Sequence, residues 1–551
     1  MITQLQKTPS AAERAEERHQ DVHLVGSGIT TDLLAAILAR GGLRVVVAPP
    51  PTPFVGSPAI TTVPYTAELL YLLADRFRVP EIANLAMFGR LPPDVRATSG
   101  VKQSLGFLYH RPRRAHDPVE NLQFSVPGEH AEWHASLPDV EHYTRTVAEK
   151  HGATYVPVGD NDNSSAVDEH ENAADDASLQ LWCVGSTSPH PGRIAATAHF
   201  ETVTPFEQSR PPKDGGYTQP WSEGTTVHAF RGGWIQVAAF DNHPAATTPG
   251  CAVSLSVSSS EPSSSPGRTA EASLDTVLAE VCLRYPDIGL QLRGARRLGP
   301  WQHTADSTSS PDRTSDTQHP TGSSLRPVIL ELGGDRGEVL FGQDFTLALE
   351  LVHATAAILL VPGALASRAA TESATRTIEQ FQDVLLSDNE QFAAAARIAT
   401  RGFPAWNAFL RAWLLWSISS ALALKKIRLD AVRNGNWAPA SKFDRGIGWF
   451  DLAPGIADTV AKSASAIRKI ETEKLTPSAA AGQVFRLLSQ RRVIPPLYKF
   501  GDPAARRYNL KLLTRLKLLA WTFTMAPRAY RGMLTADNIT AVPNEEADQQ
   551  R

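Results

Sequence analysis

Lys102 and the glycine pair Gly26 and Gly28 are the residues whose type and setting first offer chemistry. Gly26-Ser27-Gly28 follows the apolar run Val22-His-Leu-Val25 and precedes a helix-patterned stretch. That is a tight turn of the dinucleotide-binding kind, although a lone Gly-x-Gly is common in proteins that hold no nucleotide. Lys102 lies in Gly100-Val-Lys-Gln-Ser-Leu-Gly-Phe-Leu-Tyr-His-Arg-Pro112. A lysine tucked behind an apolar strand loses solvation, which makes its amine nucleophilic near neutral pH; the ordinary alternative is a lysine paired with a carboxylate. Asp241 and His243 stand two apart on a strand-like segment. They could face one cavity as an acid/base pair, and the same pair is also common loop chemistry. Asp344, before the apolar run from Phe345, reads as a helix cap. His110, His228 and His243 are isolated and read as structural histidines rather than metal ligands.

These residues need elements to hold them. Asp32 to Arg40 carries apolar residues at helical spacing (Leu33, Leu34, Ile37, Leu38), Gly41-Gly42 stops it, and Leu43 to Val47 is a run suited to a buried parallel strand. This βαβ unit opens a Rossmann-like dinucleotide-binding domain. Arg193 to Val203, Thr225 to Phe240 and Cys251 to Val257 are strand-rich and predict a mixed sheet roofing a substrate cavity. Helical patterning dominates from Phe345, and Trp406, Trp413 and Trp416 share a helix face as core. The expected architecture is α/β: a Rossmann domain interleaved with a mixed-sheet substrate domain over 21–345, then a helical C-terminal region over 346–535. Segments 160–178, 258–273 and 305–324 read as mobile inserts, and 1–20 and 536–551 as disordered ends.

Composition narrows the class. A 551-residue chain with 42% hydrophobic and 20% charged residues has the make-up of a soluble globular protein of two or three packed units. A net charge of −3 offers no footprint for nucleic acid. Three dispersed cysteines, Cys183, Cys251 and Cys282, indicate neither a disulfide framework nor zinc. The polar start lacks the core of a signal peptide, and the apolar stretch near 347–366 is broken by Glu350, His353 and Pro362. A cytoplasmic protein with no membrane partner is expected.

Taken together, the Gly26-Ser27-Gly28 turn, Val79-Pro-Glu-Ile-Ala-Asn-Leu85, the Lys102 run, Gly233-Trp234 with Phe240-Asp-Asn-His-Pro244, and Pro404-Ala-Trp406-Asn407 with Arg411 and Trp413 resemble the flavin-dependent halogenases, especially those acting on tetracycline-type and phenolic substrates. The resemblance implies a chain that uses reduced FAD, fed by a flavin reductase, to oxidise halide, with Lys102 as the catalytic lysine directing the oxidant onto an aromatic or polyketide substrate. It implies an FAD-monooxygenase-like form of the Rossmann domain, Gly26 and Gly28 as cofactor-binding residues, and Trp234 and Gln236 in the substrate chamber. Several family positions are altered. Thr31 replaces the third glycine of the fingerprint, Pro49 to Pro51 follow the second strand in place of an acidic residue, and only Gly185-Ser186-Thr187 remains of a later cofactor contact. Asp344 falls at the end of the halide-binding run Glu338 to Asp344, and Gln236 with Ala238-Ala239 replaces the signature's second tryptophan and Ile-Pro. These changes predict weak or lost FAD binding and no halogenation. The alternative function is a flavin-free pseudoenzyme: an auxiliary binding protein, or a non-redox enzyme reusing the pocket.

Overall fold

The computed structural model describes residues 21–50, 59–125, 131–156, 179–184, 193–209, 219–258, 270–303, 327–332, 343–440, 455–490 and 499–508, with Ile494 and a few positions after residue 515. The chain begins as the pattern requires, with β1 (Asp21–Val25), α1 (Ile29–Arg40) and β2 (Arg44–Ala48). The helix starts three residues before its expected onset at Asp32, directly after Gly28. Then come β3 (Ala59–Thr61), α2 (Pro64–Phe77), β4 (Ser99–Lys102), β5 (Ser104–His110), β6 (Asn121–Ser125), β7 (Glu132–Ser136), α3 (Leu137–Lys150), β8 (Thr154–Tyr155) and β9 (Leu179–Val184). β10 (Arg193–Glu201), β11 (Gly224–Phe230), β12 (Gly233–Ala239) and β13 (Cys251–Ser258) follow, then α4 (Ala270–Arg284), α5 (Pro286–Leu292) and β14 (Val328–Glu331). The last part is helical: α6 (Gln343–Leu359), α7 (Arg368–Ala399), α8 (Phe403–Asn434), α9 (Ile456–Arg468) and α10 (Pro477–Leu488).

β14, β9, β1, β2 and β8 form a wholly parallel sheet in that order. Such a sheet is covered on both faces, which is why Val22, Leu24, Val45, Val47 and Leu181 read as apolar runs rather than alternating ones. α1 packs against both α3 and α6, and every residue from Ile29 to Leu38 is buried. A second, mixed sheet has the central order β10–β13–β12–β11–β5–β6, with β5 and β11 parallel and the remaining pairs antiparallel. Its pleat divides the side chains. Leu105, Phe107, Val227, Ala229 and Trp234 join the main core with α8, while Ile235, Val237, Val253 and Leu255 pack with Tyr285 and Ile288 beneath α4 and α5. A small antiparallel sheet, β3–β7–β4, carries Lys102.

Two expectations about extents change. Thr225 to Phe240 is a hairpin, because Gly232 at φ 96° turns the chain between β11 and β12. Ser258 closes β13 and Ala270 opens α4, so both ends of the expected insert 258–273 are regular structure. Residues 1–20, 160–178, 305–324 and 536–551 lie outside the described residues. α8 is buried almost all round through Trp416, and its tryptophans, spread along the helix, meet different neighbours. Trp406 meets Trp234 and Phe107, while Trp416 meets Tyr65 and Phe392.

α2 and α6 are joined by three polar rungs. Tyr65 donates to Glu350 at 2.8 Å, Thr66 and Thr346 share a hydrogen bond at 2.7 Å, and Arg76 meets His353 at 2.7 Å. Burial lifts the Glu350 carboxyl to about 8, against the opposing Tyr65 hydrogen bond, so the acid is held largely neutral. Among the described residues no helix is long and apolar enough to cross a membrane.

Candidate functional site

The glycine turn opens into a pocket of about 340 Å³ at the end of the parallel sheet. Gly26, Ser27 and Gly28 form one wall, Val47 and Pro49 another, and Glu141, His142 and Arg145 of α3 with Tyr155 of β8 the rest. Gly26 donates its N–H to Ala48 O at 2.9 Å, and a side chain there would run into Cys183 of β9 at 2.6 Å. Gly28 has φ 97°, a conformation glycine adopts without strain. In space and backbone the turn fits the adenosine-diphosphate half of a dinucleotide. Its charges are unusual. Asp32 accepts from Tyr155 Oη at 2.6 Å and Thr144 Oγ1 at 3.0 Å, and burial lifts its carboxyl to about 7 against those two hydrogen bonds. Thr31 is buried, with its hydroxyl on Ser27 O at 3.2 Å, so the position of the third glycine is filled by an internal helix contact.

Lys102 is only 1% exposed. Its Nζ lies 2.7 Å from Glu132 Oε2 and donates to Thr62 O, because β4 and β7 place Lys102 opposite Glu132. Neither the lone desolvated amine nor an exposed lysine pair describes it: the lysine is both buried and paired. Burial pushes the Glu132 carboxyl up, and Lys102 pulls it back. The strand that carries the lysine is clamped by the Phe240–His243 segment. Asn242 accepts from Val101 N at 2.9 Å and donates to Val101 O at 2.7 Å, while His243 Nε2 sits 2.8 Å from Ser99 O. Gly100 is required here, since a side chain would strike Ala239 O and the ring of His134.

Trp234 and Gln236 lie on one face of β12, both buried. The indole of Trp234 stacks on Trp406 at 6.4 Å and carries the Arg193 guanidinium 5.0 Å from its ring. Asp344 sits inside the first turn of α6 rather than capping it, because the helix begins at Gln343. Glu338 to Gly342 of the expected halide-binding run, and Gly185-Ser186-Thr187, fall outside the described residues. Asp241 and His243 do not form an acid/base pair: Asp241 accepts from Gly250 N at 3.2 Å, while His243 meets Ser99 O. His110 and His228 are not isolated either. They share a hydrogen bond at 2.9 Å, with the His116 ring 5.2 Å from His110, and burial keeps all three below the usual histidine range. Among the described residues no group of side chains could hold a metal ion. Sequence reasoning missed Asp32, Glu141 and Glu132. Asp32, four residues beyond Gly28, was legible in principle; the two glutamates owe their positions to strand and helix packing.

No family model matches the chain. Monodechloroaminopyrrolnitrin halogenase PrnC of Pseudomonas fluorescens is 26% identical over 561 residues, spanning 95% of this chain and 94% of that protein. Tetracycline 7-halogenase of Kitasatospora aureofaciens is 28% identical over 454 residues, 76% of this chain and 77% of that one. Over most of its length the chain is similar to flavin-dependent halogenases. Its fold agrees: the crystal structure of halogenase PltM superposes with a TM-score of 0.71 at 20% identity, covering 89% of this chain and all of that one. A PltM structure in complex with phloroglucinol and FAD gives 0.69. The chain thus has the α/β architecture expected of the sequence.

Proposed function

We propose that this chain is an FAD-dependent tailoring enzyme acting on an electron-rich aromatic ring of a phenolic or polyketide metabolite, with a separate reductase supplying reduced flavin. The observation that carries the reading is the glycine-turn pocket at the end of the parallel sheet. FAD is the cofactor that the likeness to flavin-dependent halogenases implies; Gly26, Ser27 and Gly28 would hold its diphosphate, with Val47 and Pro49 beside the adenosine. When bound and reduced, FAD supplies the activation of oxygen. Trp234 stacks on Trp406 within the core, and Asn242 and His243 hold the Lys102 strand in place.

Halogenation is not expected of the native protein. Asp344, Gln236 and Ala238-Ala239 stand where the resemblance places a glycine, a second tryptophan and Ile-Pro, and the Lys102 Nζ is already engaged by Glu132 and Thr62 O. Reductase-coupled turnover with phenolic substrates and excess chloride or bromide, followed by mass spectrometry, should give oxygenated or unchanged rings. A halogenated product that disappears when halide is omitted would overturn this. The second reading, a flavin-free binding protein, is favoured by one observation, the two carboxyls Asp32 and Glu141 lining the diphosphate end of the pocket. It predicts no flavin binding under any condition, with aromatic ligands still quenching tryptophan fluorescence.

A further inference from the structure

The pocket at the glycine turn holds an acid pair that a diphosphate must face. A Cβ placed on Gly28 would stand 3.6 Å from Glu141 Oε1, so this carboxyl lies directly over the turn. Asp32, from α1, is 4% exposed and lines the same pocket, fixed by Tyr155 and Thr144. Asp32 is held in place by these bonds, and Glu141 stands half-buried on the pocket wall. The N-terminus of a helix attracts anions through its free N–H groups and its dipole. Carboxylates at that point oppose the attraction, whereas neutral carboxyls can donate to phosphate oxygens.

Arg145 also lines the pocket and its charge opposes the effect of burial on Asp32, but burial is the larger cause. Arg145 lies 4.4 Å over the Tyr155 ring and pairs with Glu149 at 3.2 Å on the exposed side of α3. His142 lines the pocket beside Glu141. Cys183 of β9 sits behind Thr31 with its thiol pushed up to about 12 by burial, so it stays protonated.

We propose that Asp32 and Glu141 make this a proton-coupled dinucleotide site, in which a diphosphate ligand enters together with protons on these carboxyls and binds more weakly as pH rises. The inference rests on the FAD reading for the identity of the ligand and on the pocket for the coupling. Burial already holds Asp32 at about 7 and raises Glu141, so the coupling falls within the physiological range. By linkage, each proton taken up with the ligand lowers affinity about tenfold per pH unit above the carboxyl's own titration.

The test is a titration of the full chain with FAD and, separately, with ADP, at about pH 6 and about pH 8.5 and constant ionic strength. Calorimetry in two buffers of different ionisation enthalpy counts the protons. Affinity for both ligands should fall at least about tenfold between the two conditions, with net proton uptake on binding. Asp32→Asn and Glu141→Gln should each raise affinity at the higher pH and reduce the uptake; Glu141→Gln changes only a group on the pocket wall and keeps the comparison valid if Asp32→Asn misfolds. Equal affinity at both conditions, without proton uptake, would overturn the coupling while leaving the FAD reading intact. Coupled binding of ADP without FAD would uphold the coupling and overturn the FAD reading. Absence of binding by the native chain and by both variants would overturn both.

Discussion

Lys102 and Glu132 meet as opposite charges with almost no water around either. Such a pair returns little net stability, since the attraction is offset by the cost of desolvating two ions, yet breaking it from one side leaves a bare charge in the interior. Glu132→Gln should therefore cost about 3–5 kcal/mol of unfolding free energy in urea titrations. The double replacement Lys102→Met with Glu132→Leu should recover most of that loss. If the single variant unfolds at the same midpoint as the native chain, the ion pair is not formed in solution. The sequence pointed to this lysine through its run of neighbours but not to its partner. Glu132 lies in Glu-Trp-His-Ala-Ser, which carries no signal of its own, and only the β4–β7 register brings the two together. The same limit hid Glu141, whose position over Gly28 depends on how α3 packs against α1.

At the scale of elements, the α2–α6 seam has an acid where an amide would do. Glu350 is fully buried, accepts from Tyr65, and is held near 8 by burial. Its folded value exceeds its unfolded one, so the contribution of the protonated acid is complete below the ordinary carboxyl range near 4.5 and is lost as pH rises through about 8. Glu350→Gln keeps an oxygen to accept from Tyr65 and removes the titration. Relative to the native chain, its melting temperature should rise progressively from about pH 5 to about pH 8, following a slope approaching about 1.4 kcal/mol per pH unit. A constant difference between the two proteins across that range would show that Glu350 is not buried as an acid. The helix itself was readable from its apolar period, and the Rossmann opening from Val22 to Val47 was readable in the same way, because both patterns are local. The starts of α1 and α6 were misplaced by one to three residues. A helix end is set by backbone partners, and Gly28 supplies no side-chain cap to announce the start of α1.

The whole molecule is organised by contacts that reach far along the chain. β5 is bordered in parallel by β11, more than a hundred residues later, and this pairing was not legible because strand order in a mixed sheet leaves no mark on either strand. A consequence follows for how the protein is made. Val101 and its fastener Asn242 are 141 residues apart. At about 5–20 residues per second, a ribosome needs roughly 7–28 s to travel that far. Through that interval Leu105, Phe107 and Leu108 have emerged, but the strand that covers one edge of them does not yet exist. The newborn chain thus passes through a stage with an adhesive open edge, the kind of surface that chaperones hold and neighbouring chains capture. Ribosome-bound chains arrested before residue 224 should be cut rapidly by protease between β4 and β6, and chains extended well beyond Ser258 should resist. Equal protection at both lengths would show that β5 finds its shelter without β11.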